Sequence, residues 1–460
     1  MKKHHLILAS STIFTLLFYN ESVGLNLAVF GLSLSGLICY FFRSRFIDNS
    51  NWVLMISTIL SCSAFAWYGD FASFLALVFS LIFLQFKTQD PKLKIIQSIP
   101  VVFINQFSSI VRIFQFSQWL PKRRTDNVLV KKLIAFFLIP TLFIIAFYTI
   151  YSFGSEHFSG LFTNYTLDLD LFEVVLIGSL GFYISFTFWN YWVPQFFYDI
   201  NSKLDNDFNE ASRKVQKQTF EFLELDFERK SGEITMLLLN CLLLVFIATY
   251  NYEQFFQENE TVTLSSAIHE RVNAVIFSIV MAVGVMLFYF KNGFNFDAKA
   301  KKLKLLSQIW IILNGLLILS TIIKNSEYVS IFGLTYKRLG VYAFLILAII
   351  GLFFTFLKIY KQKTNAYLIN HMVWYFYGTI LLCSFVNWGN MVTVYNISVN
   401  KGVDSEFLIS LNFNEVSCME YFSLKPDETE KLNYIKQNVK NKKNISFLSK
   451  ALYYESLKVE

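Results

Sequence analysis

Long apolar blocks follow one another along most of the chain, and they fix what it can fold into. Eleven candidate membrane spans can be read, at 6–19, 22–42, 52–68, 71–86, 133–152, 172–192, 236–250, 273–290, 305–323, 340–357 and 369–388. A bilayer core about 30 Å thick needs about 20 apolar residues per crossing helix. The first and seventh blocks are short and must borrow flanking polar residues. Backbone groups must be satisfied internally in lipid, so helices are expected. Barrel strands would alternate polar with apolar residues, and these blocks do not. The expected fold is all-α: a polytopic transmembrane helical bundle of about 11 spans with a small helical C-terminal tail.

Composition agrees. Of 460 residues, 55% are hydrophobic and 16% charged, which excludes a disordered, collagenous or disulfide-scaffold chain. Five cysteines show no metal-ligand spacing, and Cys418 alone lies in the polar tail. Met1-Lys2-Lys3 followed by 6–19 has the basic and apolar regions of a secretory signal. No small-x-small cleavage site follows, so an uncleaved first helix is expected.

The net charge of +7 is a membrane pattern rather than a nucleic-acid one. With the N-terminus inside, the inner segments carry 27 Lys and Arg and the short outer loops carry 4. That bias orients the chain with a cytoplasmic N-terminus, and an odd span count puts the tail outside. The chain then divides into N-terminal hairpins (1–86), a basic cytoplasmic or interfacial segment (87–132), a transmembrane hairpin (133–192), a cytoplasmic amphipathic helix (193–235), a transmembrane core (236–388) and an extracytoplasmic tail (389–460).

Two loops carry their own patterns. Phe103, Phe107, Ile110 and Phe114 recur at helical spacing before Lys122-Arg123-Arg124. This fits a helix on an anionic leaflet, or a plain basic loop that holds topology. Leu204, Phe208, Ala211, Val215, Phe222 and Leu225 form a near-heptad seam with Gln218. It serves either packing on the protein's own loops or a partner helix.

Soluble-enzyme motifs are absent: there is no P-loop, nucleophile elbow, zincin or dinucleotide fingerprint. Polar residues at span ends stand out instead. His269, Glu270, Arg271 and Asn273 open the eighth span; Tyr328, Thr335 and Arg338 lie between the ninth and tenth. Together they form a candidate outer-face polar cluster. Arg338 and Lys337 suit an anionic ligand. Structural pairing is the alternative, with Thr335 capping the tenth span and Arg338 pairing with Glu270 or Glu327. Within spans, Asn240 and Asn314 suit hydrogen bonds between helices, and His371 suits either a core hydrogen bond or a proton relay. No span carries a central Asp or Glu, which disfavours ion-coupled transport.

From His269 to Leu411 the chain resembles a bacterial family of multi-pass membrane proteins known only as a domain of unknown function. The resemblance rests on His269 and Asn273, Trp310 and Asn314, Tyr328, Gly333-Leu334-Thr335 and Arg338, completed by Asn387, Asn396, Asp404 and Leu408. Lys324 stands where that family has Arg, and Phe407 where Tyr is common. The resemblance implies an integral protein of the bacterial inner membrane and brings no activity or cofactor.

Three functions compete. The first choice is a non-catalytic membrane component in signalling or envelope assembly. The others are a transporter or channel for a small solute or ion, and a membrane enzyme acting on a lipid-linked substrate. The expected partners are the lipid bilayer and a membrane protein or second copy; no cofactor, metal or nucleic acid is expected.

Overall fold

The computed structural model describes residues 2–120, 132, 134–155, 158, 170–210, 224–256, 264–290 and 295–458. Its regular structure is helical, with no strand among the described residues. Each tight turn is made by a residue suited to it. Asp70 closes the hairpin between α3 (Asn49–Tyr68) and α4 (Phe71–Gln89), its carboxylate accepting from the Ser73 N–H at 2.8 Å. Gly69 before it takes a left-handed φ of 65°.

The first body joins α1 (Lys3–Phe18), α2 (Leu25–Phe41), α3, α4, α5 (Ser98–Arg112) and, beyond α6 (Ile139–Gly154), α7 (Leu171–Trp189). Phe14, Phe18 and Phe30 fill its centre, with Phe14 and Phe18 stacked at 4.3 Å. Helix α1 packs along α7, and Trp189 Nε1 donates to Ser10 Oγ at 2.8 Å. On α5, Asn105 clasps the backbone of Trp192, accepting from its N–H at 3.0 Å and donating to its carbonyl at 2.7 Å. The opposite face exposes Phe103, Phe107, Ile110 and Phe114, the stripe seen in the sequence.

The second body joins α9 (Leu225–Phe256), which follows the short α8 (Gln195–Asn201), to α10 (Leu264–Tyr289), α11 (Lys301–Phe332), α12 (Tyr336–Tyr360) and α13 (Asn365–Cys383). Helix α13 couples the two bodies: Tyr377 meets Ser80 of α4 at 2.8 Å, and Trp374 packs on Phe83.

Eight described helices are long and apolar enough to cross a membrane; α13 with α14 (Trp388–Val399) makes a ninth if that pair, bent by 67°, is one span. The expected count of about 11 is not reached on this measure. Helices α1 and α2 have 16 and 17 residues, below the length of 18 that this measure requires. Conversely, Ile95–Arg112 meets the test, although it was expected within a basic segment. A five-residue π-helical stretch, Ile134–Leu138, precedes Pro140 in α6; proline lacks the N–H that would continue the regular ladder.

The tail is more than an appendage. Helices α15 (Ser405–Ser410), α16 (Glu415–Ser423), α17 (Thr429–Asn444) and α18 (Leu452–Ser456) enclose a core of Leu408, Cys418, Phe422, Ile435, Val439 and Tyr453. This module is fastened to the first body. Glu21 accepts from the Ser446 and Ser449 hydroxyls, and Leu25 N–H donates to Lys450 O at 3.1 Å. Gly24 permits the approach, since a Cβ there would lie 2.3 Å from the Ser449 carbonyl. Tyr68 of α3 packs on Phe413 at 5.2 Å.

Candidate functional site

Helices α10, α11 and α12 bound a cleft of about 560 Å³. Three expected site residues, Asn273, Tyr328 and Arg338, line it together with Lys337. Val272, Ile276, Val341 and Phe344 supply an apolar wall. The cleft is therefore amphipathic, with cations beside a greasy slot.

Arg338 is held by its surroundings. Its guanidinium lies 4.1 Å from the Tyr328 ring centroid, within cation–π range. Nη1 donates to the Gly333 carbonyl, and Nε is buried without an acceptor among the described residues. Thr335 caps α12, its hydroxyl accepting from the Arg338 N–H at 3.4 Å, as the structural alternative anticipated. Lys324 takes Glu327 as its ion-pair partner at 3.2 Å, and no Arg338–Glu327 pair forms among the described residues. His269, Glu270 and Arg271 fall on the backbone of α10, but their side chains lie outside the described residues.

The Gly333-Leu334-Thr335 turn is clasped from α14. Asn396, fully buried, accepts from the Leu334 N–H at 2.6 Å and donates to the Leu334 carbonyl at 3.0 Å. Gly333 has φ 83°, and a Cβ there would meet Lys401 O at 2.7 Å. Asn387 caps α14, accepting from the Asn390 N–H at 3.0 Å, and its amide reaches Phe413 O at 2.8 Å. Asp404 caps α15 through the Phe407 N–H at 3.1 Å. These motif residues build a joint between α11, α14 and the tail module.

A family described as Domain of unknown function (DUF4153) matches residues 25–420. The chain belongs to this family. The DUF4153 match runs from the start of α2 into α16 and so contains the cleft and its clasped turn. No curated protein and no solved structure matches the chain significantly.

The intramembrane polar residues separate by role. Asn240 donates to Leu306 O on α11 at 3.0 Å, a bond between helices. Asn314 donates to Trp310 O in its own helix at 2.8 Å, and no bond to another helix is seen among the described residues. His371 Nδ1 meets Tyr367 O at 2.7 Å, and its ring packs on Phe354 and Tyr367. Glu173 accepts from the Asn20 N–H at 2.8 Å. With Glu21 and Asp70 it serves caps and tethers.

Sequence reading missed Lys358. It is fully buried near the end of α12, and Nζ donates to Phe290 O at 2.8 Å. The tenth apolar block, 340–357, ends one residue before it. Gly351, Thr355 and Lys358 share a buried helical face, which was the available signal. Nearby, Arg229 and Asp297 form a buried ion pair at 3.0 Å.

Among the described residues no group of three or more His, Cys, Asp or Glu gathers to hold a metal ion.

Proposed function

We propose that this DUF4153 protein is a non-catalytic membrane component: a helical body that presents a folded module for another envelope protein to engage. The observation that carries this reading is the module itself. It has its own core, is fastened at Glu21, Gly24 and Tyr68, and exposes Val416, Leu424 and Phe447 on its surface. Its place in this reading is a bacterial inner membrane, which the sequence resemblance supports, with the module outside, the side that the Lys and Arg bias supports. The packing of the module on the 19–24 and 69–70 turns, away from the Arg43 and Lys87 ends of the same helices, supports that side.

The test places a photo-crosslinking residue at Leu424 or Phe447 in living cells, with the exposed helix position Leu242 as control. A discrete protein adduct at the tail positions alone is expected. Absence of any such adduct, with solute flux in proteoliposomes, would overturn the reading.

A second reading, translocation of a small solute or ion, is favoured by Lys358. A buried ionisable group in a span commonly marks a pathway.

A further inference from the structure

The tail module contains a second cavity, apart from the α10–α12 cleft. It measures about 310 Å³ and is bounded by α16, α17 and α18. Ligand sites begin at about this size. Glu415 and Lys442 are the two charged residues in its described lining, with Asn412, Asn438 and Tyr454 between hydrophobic side chains.

Glu415 is only 8% exposed, and its Oε2 has no hydrogen-bond donor among the described residues. Burial raises its carboxyl above the ordinary range, opposed by the Tyr453 and Tyr454 hydroxyls and by the Lys442 charge. A buried carboxylate oxygen without a donor is costly to retain. Lys442 does not relieve it, since no Glu415–Lys442 ion pair forms among the described residues; its side chain is exposed. The cavity therefore offers one acceptor that lacks a donor and one cation at its edge. A ligand that carries both a cationic donor and an anionic acceptor would match the two groups.

We propose that this cavity binds a small zwitterion of the α-amino acid class, with its ammonium on Glu415 and its carboxylate on Lys442. Asn412 and Asn438 would complete the polar contacts. The proposal goes beyond the partner-presenting reading and does not depend on it.

The test uses the full chain in lipid nanodiscs, titrated calorimetrically with each common L-amino acid and with n-butylamine and butyrate. Saturable binding of at least one amino acid is expected, weakened about tenfold or more in E415Q and in K442Q, with both single-charge analogues weaker still. The exposed Lys442 keeps the test decisive if E415Q fails to fold. Three results would each overturn the proposal: no saturable binding to a folded native chain, leaving water as the occupant; binding unchanged in K442Q; or n-butylamine binding as tightly as any amino acid.

Discussion

Asn396 and Leu334, 62 residues apart, exchange two buried hydrogen bonds, at 2.6 Å from the Leu334 N–H and 3.0 Å to its carbonyl. One amide thus satisfies both backbone groups of a turn that could not otherwise be buried. Asn396→Leu would remove both bonds and leave a donor and an acceptor orphaned. The expected cost is about 2–4 kcal/mol. A thermal melt of the purified protein should show the loss, and an unchanged midpoint would mean that water replaces the clasp. Ser398→Ala, at an exposed position of the same helix, is the control.

Cys418 sits in the tail but is 1% exposed, and burial pushes its thiol up to about 12. The thiolate is the reactive form. A shift from an ordinary 9.0 lowers its population about a thousandfold at neutral pH. Maleimide should therefore leave Cys418 unmodified until the module is denatured, on whichever side the tail lies. Rapid labelling of the folded chain would show that the module opens. Topology is better read from Leu424→Cys, a position 78% exposed. Labelling there in intact cells places the module outside.

Glu415 makes stability depend on pH. Burial is the largest cause of its raised carboxyl pKa, against hydrogen bonds from Tyr453 and Tyr454 and the Lys442 charge. The folded chain then holds a proton that the unfolded chain has released. Its contribution is full below the ordinary value of 4.5 and is lost as pH rises through the folded value. E415Q keeps the polar group and removes the titration. The melting midpoint of the native chain should fall relative to E415Q as pH rises above 4.5, the ordinary value. Parallel curves would show that Glu415 is solvated.

Much of this architecture was legible because lipid leaves few choices. Apolar blocks marked the helices, and Thr335 marked the start of one of them. The amphipathic stripe of α5 was legible too, since Phe103, Phe107 and Ile110 recur at helical spacing. Span length was harder, because helix ends are set by local breaks. Gly24 sets the start of α2 where the module needs close approach. The sequence placed Asn273, Tyr328 and Arg338 in one cluster, and helix packing brings them to one cleft. It could not show that Asn396, in a different helix, holds the adjoining turn, nor that short tail helices share a core with Tyr68. Those are long-range contacts, and a single chain carries no local signal for them.

Lys358 offers the sharpest separation of structure from function. Its ammonium donates to Phe290 O at 2.8 Å and lies 6.0 Å from the Phe290 ring, with no ion pair among the described residues. Phe290 O also accepts from Asn295 Nδ2 at 2.8 Å, so it keeps a donor if the lysine is removed. A buried ion replaced by an apolar side chain of similar volume is often neutral or stabilising. Lys358→Met should therefore leave the stability within about 1 kcal/mol of native or raise it, whereas Lys358→Glu, which sets a carboxylate against a carbonyl, should cost about 3 kcal/mol or more. A strongly destabilised Lys358→Met would mean that the ammonium itself holds the α10–α11 connection to α12. A stable Lys358→Met that abolishes a flux measured in proteoliposomes would instead place this lysine on a translocation path.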